Sequence, residues 1–130
     1  MTQIVAIGEC MLEFSRRPDG LFRLGFGGDT LNTAVYLARL GCKVDYLTAL
    51  GDDAHSDALL AAWRQEGVGV ERVLRLPGRL PGLYLIETDA SGDRRFTYWR
   101  NSSAARDLFA GAQGQAVADA LAGDRLIYLS

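Results

Sequence analysis

The stretch GFGGDTLNTAVYLARLG, Gly25 to Gly41, sets glycines directly in front of an apolar helical pattern. It is not a P-loop, because no Gly-Lys-Ser/Thr follows. It is not a dinucleotide fingerprint either, since its glycines come after an intervening loop and not directly after the first strand. What remains is Gly27-Gly28-Asp29, then Thr30 and Leu31, with Asn32 in the first turn of a helix. Glycines let backbone approach a ligand closely, and a helix N-terminus offers unpaired N–H groups. Asn32 can give a donor and an acceptor to a hydroxyl-bearing ligand. A tight turn with Asp29 or Thr30 as N-cap reads equally well on these residues.

A second group lies at Tyr98-Trp99-Arg100, with Tyr84 on the preceding apolar run. Tyr98 and Arg100 are two apart on a strand and share a face, while Trp99 points the other way. A phenol beside a guanidinium suits a ligand carrying hydroxyls and a carboxylate, which arginine grips bidentately. An amphipathic sheet face with a solvated arginine has the same spacing, and spacing by itself favours that plainer reading. His55, the only histidine, follows Gly-Asp-Asp-Ala and has no specified partners, so it is assigned a surface or capping role. The pairs Asp52/Asp53 and Glu9/Glu13 have the chemistry for acid–base work, though isolated carboxylates at such places are usually caps or solvated groups. Cys10 and Cys42 lack the spacing of a metal site or a disulfide framework and read as free buried thiols of a cytoplasmic protein.

These groups need a scaffold. Gln3 to Gly8 is a short β-branched apolar run of the buried-strand type. The following ECMLEFSRRPDG loses periodicity and ends in a turn signal. Leu31, Ala34, Val35 and Ala38 recur at helical spacing, Leu37 and Leu40 widen the apolar face, and Gly41 stops the helix. That pattern predicts a helix buried on most sides. Lys43 to Gly51 reads as a buried strand, DDAHSDALLAAWRQEG as a helix, and VERVLRLP as a strand. Strand, helix, strand, helix, strand argues for parallel crossovers. Gly82 to Arg100 breaks that rhythm with two strand-like runs around DASGDR, a hairpin with one covered and one available face, of the kind that serves as a lid or an interface. SSAARDLF and GQAVADALAG read as helical and DRLIYLS as a strand.

At 130 residues, with 48% apolar and 23% charged residues, the sequence suits one ordinary folded domain. A net charge of −2 gives no electrostatic case for nucleic acid. No apolar run approaches the length needed to span a bilayer, and there is no signal-type leader. A strand so close to Ser130, with no helix after it to cover it, gives the expectation of the front portion of a longer protein, with an exposed sheet edge.

Together GECM, GGDTLNTA and LPGLYLIETDASGDRRFTYWR resemble the ribokinase-like (PfkB-type) carbohydrate kinases, in particular those acting on 2-keto-3-deoxygluconate, along essentially the whole chain. The resemblance implies an α/β fold: a parallel-sheet core with helices on both faces and an inserted β-hairpin lid, incomplete here. Residues 1–130 would be the N-terminal portion of a single kinase domain, with lid strands within about 82–100. It implies transfer of a phosphoryl group from ATP, with Mg2+, to the 6-position of the sugar acid. Gly27, Gly28 and Asn32 match the family's sugar-binding turn, Tyr84, Tyr98 and Arg100 its lid residues, with Arg100 the carboxylate ligand, and Glu13 the place of an acidic sugar contact. Thr30 departs from the small residue usual there. The family's Gly-Ala-Gly-Asp motif, with its base aspartate, and the ATP site have no counterpart in these residues, so no catalytic or metal-binding residue is assigned and the chain alone is expected to be inactive. Pairing of lids implies a homo-oligomer. A fructokinase- or ribokinase-type substrate is the alternative within the family, and a non-catalytic oligomerisation module the alternative outside it.

Overall fold

The computed structural model describes residues 3–123 and 126–130. Gln3–Ile7 forms β1, the middle strand of a parallel sheet in which it pairs with β4 (Lys43–Leu47) on one side and β9 (Leu126–Leu129) on the other. The β-branched run predicted this: successive side chains of β1 enter two different cores, as a centrally buried strand requires. Ile4 and Ala6 pack with Leu31, Ala34, Val35, Leu59 and Trp63 of the helices α1 (Asp29–Arg39) and α2 (Ala54–Gln65). Val5 and Ile7 pack with Ala104 and Leu108, from a 3-10 turn (Ala104–Asp107) and the residue after it, and with Val117 of α3 (Gly111–Ala120). Helices therefore cover both faces, as expected.

Several elements differ from the sequence reading. The stretch after β1 holds two strands where a loop was expected: β2 (Met11–Arg16) and β3 (Phe22–Gly27), antiparallel and joined by the Pro-Asp-Gly turn. The hairpin of β7 (Gly82–Thr88) and β8 (Arg94–Trp99) is real, but it is half of a four-stranded sheet ordered β3-β2-β7-β8, with β2 and β7 parallel. Its expected covered face is absent from β8, all six of whose residues are exposed, because β8 is the edge strand of this sheet and neither core cluster reaches it. Helix α1 buries one face only. Tyr36 and Leu40 are 64% and 80% exposed, so apolar residues all round did not mean burial all round. Gly41, at φ +85, donates its N–H to the Ala38 carbonyl and ends α1 in the left-handed conformation glycine tolerates. The strand expected over Lys43 to Gly51 divides into β4 and a short β5 (Ala49–Leu50), which pairs in parallel with β6 (Leu74–Arg75), all that remains of the strand expected in VERVLRLP. In the final expected strand, Asp124 and Arg125 lie outside the described residues, and Leu126 and Leu129 of β9 are exposed. No helix among the described residues is long and apolar enough to cross a membrane.

Candidate functional site

Pairing register decides which side chains of the four-stranded sheet share a face. Glu13 stands opposite Gly25 on β3 and Tyr84 on β7, and Tyr84 opposite Tyr98 on β8. Directly opposed residues lie on one face, so these groups meet. The Tyr84 hydroxyl donates to Glu13 Oε2 and Ser15 Oγ donates to Glu13 Oε1 at 2.8 Å. The Tyr84 and Tyr98 rings lie 5.9 Å apart, and Phe96 stacks on Tyr98 at 6.3 Å. Tyr84 is buried, and burial first, then its bond to the Glu13 carboxylate, pushes its phenol well above the ordinary tyrosine range. It stays a hydrogen-bond donor throughout the working pH range. A cleft of about 420 Å³ opens beside these groups, lined by Glu13, Ser15, Arg23, Gly25 and Phe26. An apolar cleft of similar volume between β6 and α3 shares none of these residues.

The glycines are here for close approach. A Cβ on Gly27 would collide with the Tyr84 hydroxyl and lie 3.2 Å from Glu13 Oε2, while one on Gly28 would collide with the Glu9 carbonyl oxygen. Gly28 is the N-cap of α1, with no side-chain cap bond, so neither Asp29 nor Thr30 caps the helix. Asn32 sits exposed in the first turn, its N–H donated to the Gly28 carbonyl at 2.8 Å and its side chain without a hydrogen bond among the described residues. Thr30 is buried, its hydroxyl 3.0 Å from the Tyr46 hydroxyl and its side chain closely filling the space over Gly8. The departure at this position is thus absorbed by a polar pair inside the core.

Arg100 follows β8 directly. Its guanidinium lies 5.9 Å from the centre of the Tyr98 ring, and Nε is 2.9 Å from Glu9 Oε1. Ser103 Oγ donates to Glu9 Oε2 at 2.5 Å. The sequence brought Tyr98 and Arg100 together through the period of two and set Tyr84 on the partner strand. It gave Glu9 only a generic acidic role and left Ser103 out, since a bond between residues so distant in the chain leaves no local spacing to read. His55 is exposed in the first turn of α2, its N–H accepted by the N-cap Asp53 at 3.0 Å, in line with its assigned role. Cys10 is buried and Cys42 half-buried, and both are free. Of the seven candidate positions, Gly27, Glu13, Tyr84, Tyr98 and Arg100 form one continuous surface, and Gly28 and Asn32 frame it from the start of α1.

A parallel sheet covered on both faces, beside a second four-stranded sheet one face of which carries a carboxylate, phenols and a guanidinium, defines an α/β protein with groups able to hydrogen-bond a small polar molecule. Residues 1–130 match the pfkB family of carbohydrate kinases, and the chain belongs to that family. It is 49% identical to the 2-dehydro-3-deoxygluconokinase of Dickeya dadantii, over 98% of this chain and 42% of that protein. It is 47% identical to the enzyme of that name from Escherichia coli K12, with the same coverages. Among solved structures, the 2-dehydro-3-deoxygluconokinase of Thermotoga maritima superposes with a TM-score of 0.83 at 27% identity, over 99% of this chain and 41% of that one. The chain thus spans about 42% of the length of the curated relatives it matches.

Proposed function

We propose that the whole protein is a cytoplasmic kinase transferring a phosphoryl group from ATP, with Mg2+, to the 6-hydroxyl of 2-keto-3-deoxygluconate (2-dehydro-3-deoxygluconate). In this reading residues 1–130 are the N-terminal portion of one ribokinase-like domain and supply the sugar-acid half of the site. The observation that carries the proposal is Arg100. Apart from its ion pair and ring contact it has no partner among the described residues, so its terminal nitrogens are available at the edge of a wall of phenols. A bidentate guanidinium recognises a carboxylate, and the phenols with Glu13, Asn32 and the backbone of Gly27 and Gly28 recognise hydroxyls. The names of the relatives agree with a sugar acid rather than a neutral sugar. Among the described residues no group of three His, Cys, Asp or Glu could hold a metal ion, and the sequence has no P-loop. In this reading, following the family resemblance, no residue of this chain is assigned to the nucleotide or its magnesium. Free cysteines suit a reducing compartment.

The proposal extends to assembly as a homo-oligomer through the lid. On the face away from the site, Phe22, Leu24 and Trp99 are each about half exposed (46%, 52% and 56%), an apolar surface suited to a second copy. Turnover of 2-keto-3-deoxygluconate, fructose and ribose by the intact protein tests the substrate. Arg100→Met should raise KM for the sugar acid about 10- to 100-fold, the scale of a hydrogen bond to a charged group, and leave neutral sugars unaffected. Comparable kcat/KM on all three sugars would overturn the assignment.

A further inference from the structure

One carboxylate at the site has no part in the sugar contacts above. Glu9 stands just past the end of β1, and its side chain is 12% exposed. A carboxylate so placed is stable only when paired. Its partners come from the exit of β8, at the base of the lid: Arg100 Nε at 2.9 Å and the Ser103 hydroxyl at 2.5 Å. Its main chain faces the other way, with the carbonyl oxygen against Gly28. One residue therefore touches both the glycine turn before α1 and the arginine that closes the site.

The Arg100 side chain is 47% exposed, and a long side chain at that exposure samples many rotamers unless something holds it. Glu9 holds Nε by charge and Tyr98 holds the plane of the guanidinium. Nε is the guanidinium nitrogen in contact with Glu9, and the two terminal nitrogens have no hydrogen-bond partner among the described residues. The Glu9 Oε1 contact is an ion pair with no aligned hydrogen bond, so that oxygen retains an acceptor. An incoming carboxylate can engage the outer edge of the fork while Nε stays on Glu9. Resting on the sugar-acid reading above, we infer that Glu9 is a positioning residue for Arg100: it presets the guanidinium for the substrate carboxylate and does not itself touch the sugar.

The test uses the intact protein and the variants Glu9→Gln, Arg100→Met and the double variant, with KM and kcat measured on 2-keto-3-deoxygluconate. Glu9→Gln preserves size and an acceptor for Ser103 but removes the charge. It should raise KM about tenfold, the scale of reordering one long side chain, with kcat little changed. In the Arg100→Met background the same substitution should add almost nothing, because its effect runs through Arg100. A purely structural role would raise KM equally in both backgrounds and overturn the inference. So would a fall in KM in Glu9→Gln, which would make Glu9 a competitor for the arginine. Ser103→Ala, which removes only the second donor to Glu9, should raise KM in the same direction by a smaller factor and serves if Glu9→Gln folds poorly. An unchanged KM in Arg100→Met would bring down the sugar-acid reading and this inference with it. A raised KM in Arg100→Met together with an unchanged KM in Glu9→Gln would bring down this inference alone.

Discussion

Gly27→Ala isolates the packing at the heart of the site. The new methyl would collide with the Tyr84 hydroxyl and lie 3.2 Å from Glu13 Oε2. Neither group can yield alone, since the phenol donates to that carboxylate, the carboxylate also accepts from Ser15, and the Tyr84 ring packs against Tyr98 and Phe96. Two outcomes compete. The phenol can retreat and lose a hydrogen bond to a charged acceptor, at about 1.5–3 kcal/mol. Alternatively the strands can bear the overpacking, at about 1–3 kcal/mol. Either way the loss in unfolding free energy is about 2 kcal/mol, roughly a 1 M fall in urea midpoint at a slope near 2 kcal/mol/M. Tyr84→Phe removes the atom that the methyl strikes. The double variant should therefore be no less stable than Tyr84→Phe alone, giving a coupling of about 2 kcal/mol in a double-mutant cycle. Urea unfolding of the intact protein at neutral pH, where Tyr84 is protonated, measures all four corners. Additivity of the two substitutions within about 0.5 kcal/mol would show that the glycine is not there to admit the phenol.

Two further perturbations test the frame. Asp53 accepts from the amides of His55 and Ser56 and from the Ser56 hydroxyl at 2.6 Å, and Ser56 is fully buried, so Asp53→Ala should cost about 2 kcal/mol in unfolding free energy. Partial burial pushes the Asp53 carboxyl up, but the Ser56 hydroxyl and the amides outweigh it and hold the group below the usual carboxylate range. With the folded value below the unfolded one, this stabilisation is complete above about pH 4 and drains away as pH falls through and below that value. The gap between wild type and Asp53→Ala should narrow from pH 6 to pH 3, and a constant gap would refute the assignment. For the lid face, Leu24→Glu should convert a wild-type oligomer to monomer in light scattering at micromolar concentration, and a monomeric wild type would refute the lid assembly.

The legible elements were those whose burial imposes a period. β1 carries an unbroken apolar run because both its faces are covered, and α2 shows its apolar stripe between the cap Asp53 and Gly67. β2 and β3 escaped because their side chains are half-buried or exposed along most of their length, which leaves no alternation to detect. Their order depends on the parallel pairing of β2 with β7, a contact between segments some seventy residues apart. β6 was overextended for the opposite reason: VERVLRLP is apolar enough for a strand, but only Leu74 and Arg75 find a partner in β5. In the site, Tyr98 and Arg100 were legible from strand period, whereas Glu9 with Ser103 was invisible to any local rule.

The β7–β8 hairpin is anchored at its base, where the groups proposed to face the ligand cluster. Just before β7, Arg79 pairs with Asp107 and donates to the carbonyls of Ser102 and Ser103, each at 3.1 Å. Leu80 bridges to Ser103, and the Ala104 N–H donates to the Leu80 carbonyl at 2.9 Å. The entry to β7 and the exit from β8 are therefore tied to one another and, through Asp107 and Ala104, to the core beneath β1. Gly82 completes this base: a Cβ there would press on Met11, Arg100 and Ser103 at 3.0–3.5 Å. Toward the tip, by contrast, the Asp89–Asp93 turn is held mainly by its own bonds to Ser91 and Asp93. A side chain at the base inherits the rigidity of the core, while one at the tip inherits that of an exposed hairpin. Arg100 and Tyr84 sit at the base, so in the proposed reading the contacts that must be most accurately placed are made where the hairpin has least freedom to move.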